Sequence, residues 1–130
     1  MKIPKLSKSE QEIMDVLWAE GRPLSRAEIL ELSTEKSWKP SSIHILLNSL
    51  LDKQAIVVDG FSKTGSHYGR TFAPAFAEGE GMATQIKQMV SYQRRPGETV
   101  STIFSALIED NNLTDEDLDK LEEILRRNKS

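Results

Sequence analysis

The first apolar positions that recur with a regular period are Ile13, Met14, Leu17 and Trp18, which fall on one side of a helix. Ahead of them "SKSE" forms a capping box: Ser7 and Glu10 each satisfy the other's backbone N–H, so a helix is expected over 7–20. Gly21 suits the stop, and Pro23 disfavours helix at Arg22, which makes "RPL" an extended bridge. A second capping box, "SRAE", opens a helix at Ser25 that runs to about Ser33, with Ala27, Ile29 and Leu30 inward. After the polar "STEKSW", Pro40 suits the first turn of a third helix. Along it Ile43, Leu46, Leu47, Leu50 and Gln54 share one side. The period then changes. "AIVVDGF" (55–61) predicts a strand, "SKTGS" (62–66) a turn, and "HYGRTFAP" (67–74) a second strand that ends at Pro74.

"APAFAEGEG" follows as a linker or loose helix start, and three more helical stretches come after it. Residues 82–92 carry Met82, Ile86, Met89 and Val90. Residues 98–110 carry Val100, Ile103, Phe104, Leu107 and Ile108. Residues 114–127 start at the cap Thr114 and carry Leu118, Leu121, Ile124 and Leu125. Three striped helices in so short a stretch cannot close a core alone. They must pack on the first domain or on another chain; the linker in front and the clean stripe on each favour another chain, so these apolar positions, from Met82 to Leu125, are expected to form a dimer interface.

Helix, bridge, helix, helix, strand, turn, strand is the order of a winged helix-turn-helix. The expected fold is mainly α with a small β-hairpin. A winged helix-turn-helix domain (1–74) would precede a C-terminal helical dimerisation region (75–130).

Charge sharpens this picture. The net charge of −3 argues against nucleic acid, but its distribution does not. Ten Lys/Arg stand against nine Asp/Glu over 1–74, and seven against eleven over 75–130. The acid is concentrated at the C-terminal end. The chain has no cysteine, which removes disulfides, thiolate metal sites and cysteine nucleophiles. Its two histidines and its acidic run lack metal-ligand spacing, and no catalytic constellation is present. No metal, cofactor or catalytic residue is expected. The N-terminus has no signal-peptide core and no apolar run is long enough to span a bilayer, so a cytoplasmic protein is expected.

On a helical wheel, the side of the third helix opposite its leucines carries Ser41, Ile45, Asn48 and Asp52, flanked by Ser42, His44 and Ser49. All of these but Asp52 are the candidates for base contacts. Asn pairs with adenine, Ser donates or accepts, and an aliphatic side chain covers a thymine methyl. The candidates for phosphate contact are Arg26, Lys36 and Lys39 near helix starts, and Lys63, Ser66, His67 and Arg70 in the wing. A solvated helix face and hairpin tip is the plainer reading of the same residues. A winged-helix module that binds a protein instead of DNA is the alternative function.

The segment "LSKSEQEIMDVLW" (6–18) resembles the opening helix of the penicillinase-repressor (BlaI/MecI/CopY) family. "GRPLSRAEILELS", Trp38 and "SSIHILLNSLLDKQAI" (41–56) are similar to its helix-turn-helix. Phe72, Pro74 and "LTDEDLDKLEEILRR" match the end of its wing and its last helix. The resemblance implies a dimeric repressor on a pseudo-palindromic operator, relieved in some members by a sensor-controlled protease that cuts the C-terminal part. The copper-responsive branch needs a cysteine motif, which this chain lacks. His44 and Ser49 stand where the family often has Arg. Ile103-Phe104 stands where protease-sensitive members have Asn-Phe.

Overall fold

The computed structural model describes residues 3–64, 67–110 and 112–130. The chain divides into two compact units, Met1–Ile86 and Lys87–Ser130.

In the first unit, helix α1 (Lys8–Glu20) is capped as its sequence requires. Ser7 Oγ accepts from the Glu10 N–H at 3.2 Å, and Glu10 accepts from the Ser7 N–H at 2.8 Å. The helix ends at Gly21 in the left-handed region, φ 68°, where a Cβ would be strained. A two-residue strand, β1 (Leu24–Ser25), leads into α2 (Arg26–Leu32), whose Ser25–Glu28 capping box also forms. With only two turns, α2 sends a single side chain fully inward. Ile29 is buried and Leu30 half-buried, whereas Ala27, about 200° around the helix from Ile29, is exposed.

A single 3-10 turn (Pro40–Ser42) precedes α3 (Ile43–Asp52). The expected inward position of Gln54 is not observed. The helix closes before it: Gln54 adopts φ 61° and is exposed, and the Ala55 N–H reaches back to the Leu50 carbonyl at 2.9 Å. That closure satisfies orphan carbonyls, which helps offset the roughly 1–2 kcal/mol of a left-handed non-glycine residue.

Strands β2 (Ile56–Thr64) and β3 (His67–Pro74) form the wing. The ladder is longer than the sequence pattern indicates. Ser62 and Lys63, expected in the turn, pair with Gly69 and Tyr68 because the antiparallel register continues past Phe61. A bulge at Asp59, between Val58 and Gly60, shifts that register. The "RPL" bridge also pairs: Leu24 faces Phe72 and Ser25 faces Thr71, so the hairpin becomes a three-stranded sheet of order β1-β3-β2.

The core of this unit gathers Ile13, Met14 and Leu17 of α1, Leu24, Ile29, Trp38, and Ile43, Leu47 and Leu50 of α3, with Ala55, Ile56, Phe72 and Phe76. The unit continues past the expected boundary at 74/75. Trp18 Nε1 donates to the Phe76 carbonyl at 3.1 Å and the two rings pack at 5.8 Å. Helix α4 (Glu78–Lys87) then passes so close that a Cβ on Gly81 would lie 3.2 Å from both rings.

The expected helix at 82–92 is two helices. Met89 leaves the helical region at ψ 140°, and the Gln93 amide donates to the freed Lys87 carbonyl at 3.3 Å. The second unit contains α5 (Val90–Arg94), α6 (Pro96–Glu109) and α7 (Asp115–Arg127), the last capped by a Thr114–Asp117 box. None of its described residues is fully buried. No helix among the described residues is long and apolar enough to cross a membrane.

Candidate nucleic-acid interface

Helix α3 has two unlike sides because its apolar positions repeat at helical spacing. Ile43, Leu47 and Leu50 are buried against the core and Leu46 is half-buried. Ser41, in the turn that leads into the helix, is exposed, as are His44, Ile45 and Asn48, and Ser42 is half-buried. Ile45 is 72% exposed, an aliphatic side chain held in water. The exposed patch carries no Lys or Arg, and its one acid is Asp52 at the end of the helix. It therefore offers hydrogen bonds and one apolar contact, the repertoire that reads base edges.

Ser49 sits differently from the other five candidates. It turns toward α1 and donates to Glu10 Oε2 at 2.6 Å. Lys53, one turn further on, donates to Glu10 Oε1 at 2.5 Å and to the Lys5 carbonyl at 3.2 Å. Glu10 is only 2% exposed. Burial pushes its carboxyl up, but hydrogen bonds from Lys53, Ser49 and Ser7 outweigh burial and hold it down at about 2. A carboxylate in α1 thus grips the rear of α3 at two points and sets how the helix projects. From sequence, Glu10 is legible only as a cap. Its two partners lie 39 and 43 residues away, and nothing local announces them.

The connection into α3 is also anchored to α1. The Ser37 N–H and hydroxyl both donate to Glu12, each at 2.8 Å, and these bonds lower the Glu12 pKa. Trp38 is buried beside this connection, and its Nε1 has no partner among the described residues.

The basic candidates divide into two groups. Lys36 folds back, donating to the Ser33 carbonyl at 3.2 Å with its ammonium 5.8 Å from the Trp38 ring centroid. Its charge caps the end of α2, where helix carbonyls favour a cation. Lys39, Lys63 and Arg70 are exposed, and Arg26, at the first position of α2, is exposed with its guanidinium against His44. Ser66 lies outside the described residues, and His67 is the first residue of β3. Arg70 lies with its guanidinium carbon 5.4 Å from the Phe72 ring centroid. Opposite Arg70 in the ladder stands Phe61, 70% exposed, which the strand pattern alone does not single out.

The apolar candidates of the C-terminal half are mostly uncovered. Met82, Met89, Val90, Val100, Leu107, Ile124 and Leu125 are exposed, and Ile86, Ile103, Phe104, Ile108, Leu118 and Leu121 are half-buried.

Residues 6–127 match the family model described as penicillinase repressor. The penicillinase repressor of Bacillus licheniformis is 27% identical over 131 residues, which cover 99% of this chain and 95% of that protein. The solved monomeric form of Bacillus licheniformis BlaI, in complex with the blaP half-operator, is 30% identical. That match covers 61% of this chain and 90% of that one, with a TM-score of 0.44.

Proposed function

We propose that this chain, which belongs to the penicillinase repressor family, is a DNA-binding repressor that acts as a homodimer on a two-half-site operator. Each protomer places α3 in a major groove, where Ser41, Ser42, His44, Ile45 and Asn48 meet base edges. Lys39 and the wing residues Lys63 and Arg70 meet phosphates. Ser49 and Lys36 are placed outside the contact surface, because both are hydrogen-bonded to the protein itself.

The observation that carries this reading is the two-sidedness of α3: a leucine side sunk in the core and an opposite side of exposed polar residues and one bare isoleucine. Weak basicity fits a division of labour, in which the wing and helix ends supply phosphate attraction and α3 selects sequence. The second protomer is supported by the exposed apolar side chains of the C-terminal unit, which a copy of the same unit would cover. A protein of this kind works in the cytoplasm.

Release of the operator by a sensor-linked protease remains the reading the family resemblance suggests. The Ile103–Phe104 bond lies inside α6, so a protease would have to unwind that helix before cutting there.

Selection of bound duplexes from random DNA, followed by anisotropy titration at about 100 mM salt, tests the function. The expected result is a symmetric consensus with half-site centres about 34 Å apart. Affinity no tighter than for random duplex would overturn it and favour a protein-binding winged helix.

A further inference from the structure

Arg26 and His44 stand 18 residues apart, at the starts of α2 and α3, and meet side by side on the exposed surface. Arg26 Nη1 lies within hydrogen-bonding distance of His44 Nε2. A guanidinium has five N–H donors, no acceptor, and does not lose its proton in a protein. A hydrogen bond between them therefore has one polarity, Arg26 donating and His44 Nε2 accepting, and it requires the tautomer with its hydrogen on Nδ1.

We infer that Arg26 is a specificity-positioning residue, which fixes the tautomer of His44 so that the recognition helix presents an Nδ1–H donor to the major groove. The inference rests on the reading of α3 as the DNA-reading helix. A ring donor at this point pairs with guanine N7 or O6, adenine N7 or thymine O4, and meets only a like donor at the cytosine N4 amino group. The base that faces His44 is thus selected against cytosine. Arg26 brings this about without touching a base. This role differs from a phosphate clamp, which strengthens binding to every sequence alike.

Two measurements test the pairing on the full-length protein. The first is long-range proton–nitrogen correlation NMR of the free protein at about pH 8, where an unperturbed imidazole is neutral. The expected spectrum shows His44 protonated on Nδ1 in the wild type. It shows a shift toward the Nε2–H form in Arg26→Ala, and partial restoration in Arg26→Lys, which again supplies a donor. The second is selection from random DNA with wild type, Arg26→Ala and His44→Ala. Both variants are expected to lose discrimination, by about three- to tenfold, at one and the same base pair of each half-site. The double variant is expected to lose no more than either single one. A wild-type His44 protonated on Nε2, or a tautomer unchanged by Arg26→Ala, overturns the inference. So does an Arg26→Ala protein that binds all sequences more weakly with its consensus intact. If no duplex is bound above random, the DNA reading itself fails, and the tautomer measurement still decides the pairing.

Discussion

Replacing Glu10 with Gln keeps the shape of the side chain and removes the charge that Ser49 and Lys53 hold in place. The structure sets the size of the effect. Glu10 is buried, with its carboxyl lowered from 4.5 to about 2, and that difference corresponds to about 3 kcal/mol of native-state stability. Lys53 is 35% exposed in its side chain, so solvent screening trims the figure to about 2–3 kcal/mol. The sign follows from the direction of the shift. A carboxyl whose folded pKa lies below its unfolded value stabilises the fold above the unfolded pKa. It loses that contribution as the pH falls toward the folded pKa. The window here runs from 4.5 down to about 2. Urea unfolding followed by tryptophan fluorescence, with Trp18 and Trp38 both in the first unit, measures it. Glu10→Gln is expected to be about 2–3 kcal/mol less stable than wild type near pH 7 and about 1 kcal/mol less stable near pH 3. A deficit of the same size at both pH values would refute the charge argument and leave only a packing defect. A deficit below about 0.5 kcal/mol near pH 7 would refute the grip of α1 on α3 altogether.

Asn48→Ala is expected to leave urea stability within about 0.5 kcal/mol, since the residue is exposed, while relaxing the consensus at one base pair by tenfold or more in a site selection. Lys63→Ala and Arg70→Ala should each weaken binding to specific and random duplexes alike, and each should lower the slope of log affinity against log salt by about one. Gly81→Leu drives a Cβ to within 3.2 Å of Trp18 and Phe76, and an unfolding titration should show a loss of about 1–3 kcal/mol with a changed tryptophan spectrum. Leu107→Lys, at a position 61% exposed on α6, should leave the first unit's unfolding unchanged and shift sedimentation from dimer to monomer; an unchanged dimer would exclude that part of α6 from the interface.

The exposed isoleucine of α3 bears on how this surface would read DNA. Ile45 makes no contribution to the core, and in water it gains nothing from burial. Its proposed use is against a thymine methyl, a contact that pairs naturally with hydrogen bonds from Ser41 and Asn48 on the same side. A reading helix without Lys or Arg would gain selectivity from matched groups while contributing little to non-specific affinity, which arises mainly from phosphate contacts.

The starts of α1, α2 and α7, the run from α3 into the wing and the two sides of α3 were legible in the residues themselves. Capping boxes at Ser7, Ser25 and Thr114 act over three residues, and apolar stripes act over single helical turns, so both are written locally. What reaches across the chain was not. The pairing of Leu24 with Phe72 depends on β3 arriving beside a bridge that has no strand pattern of its own. The left-handed Gln54 occupies a site where the local signal would be glycine, and it is held there by the turn that links α3 to β2. Ser49 and Asn48 are neighbours in sequence and alike in polarity, yet one faces Glu10 and the other faces water. A rotation of about 100° between consecutive residues separates them, and only the packing of α1 against α3 decides which side of that rotation is occupied. Lys36 and Lys53 are cations in the sequence but are engaged at the ends of other elements in the fold. The sequence by itself set out the candidates for DNA contact, because residue type and helical period are local. Only the tertiary structure showed that Ser49 and Lys36 are already hydrogen-bonded within the protein, because side-chain partners are set by packing.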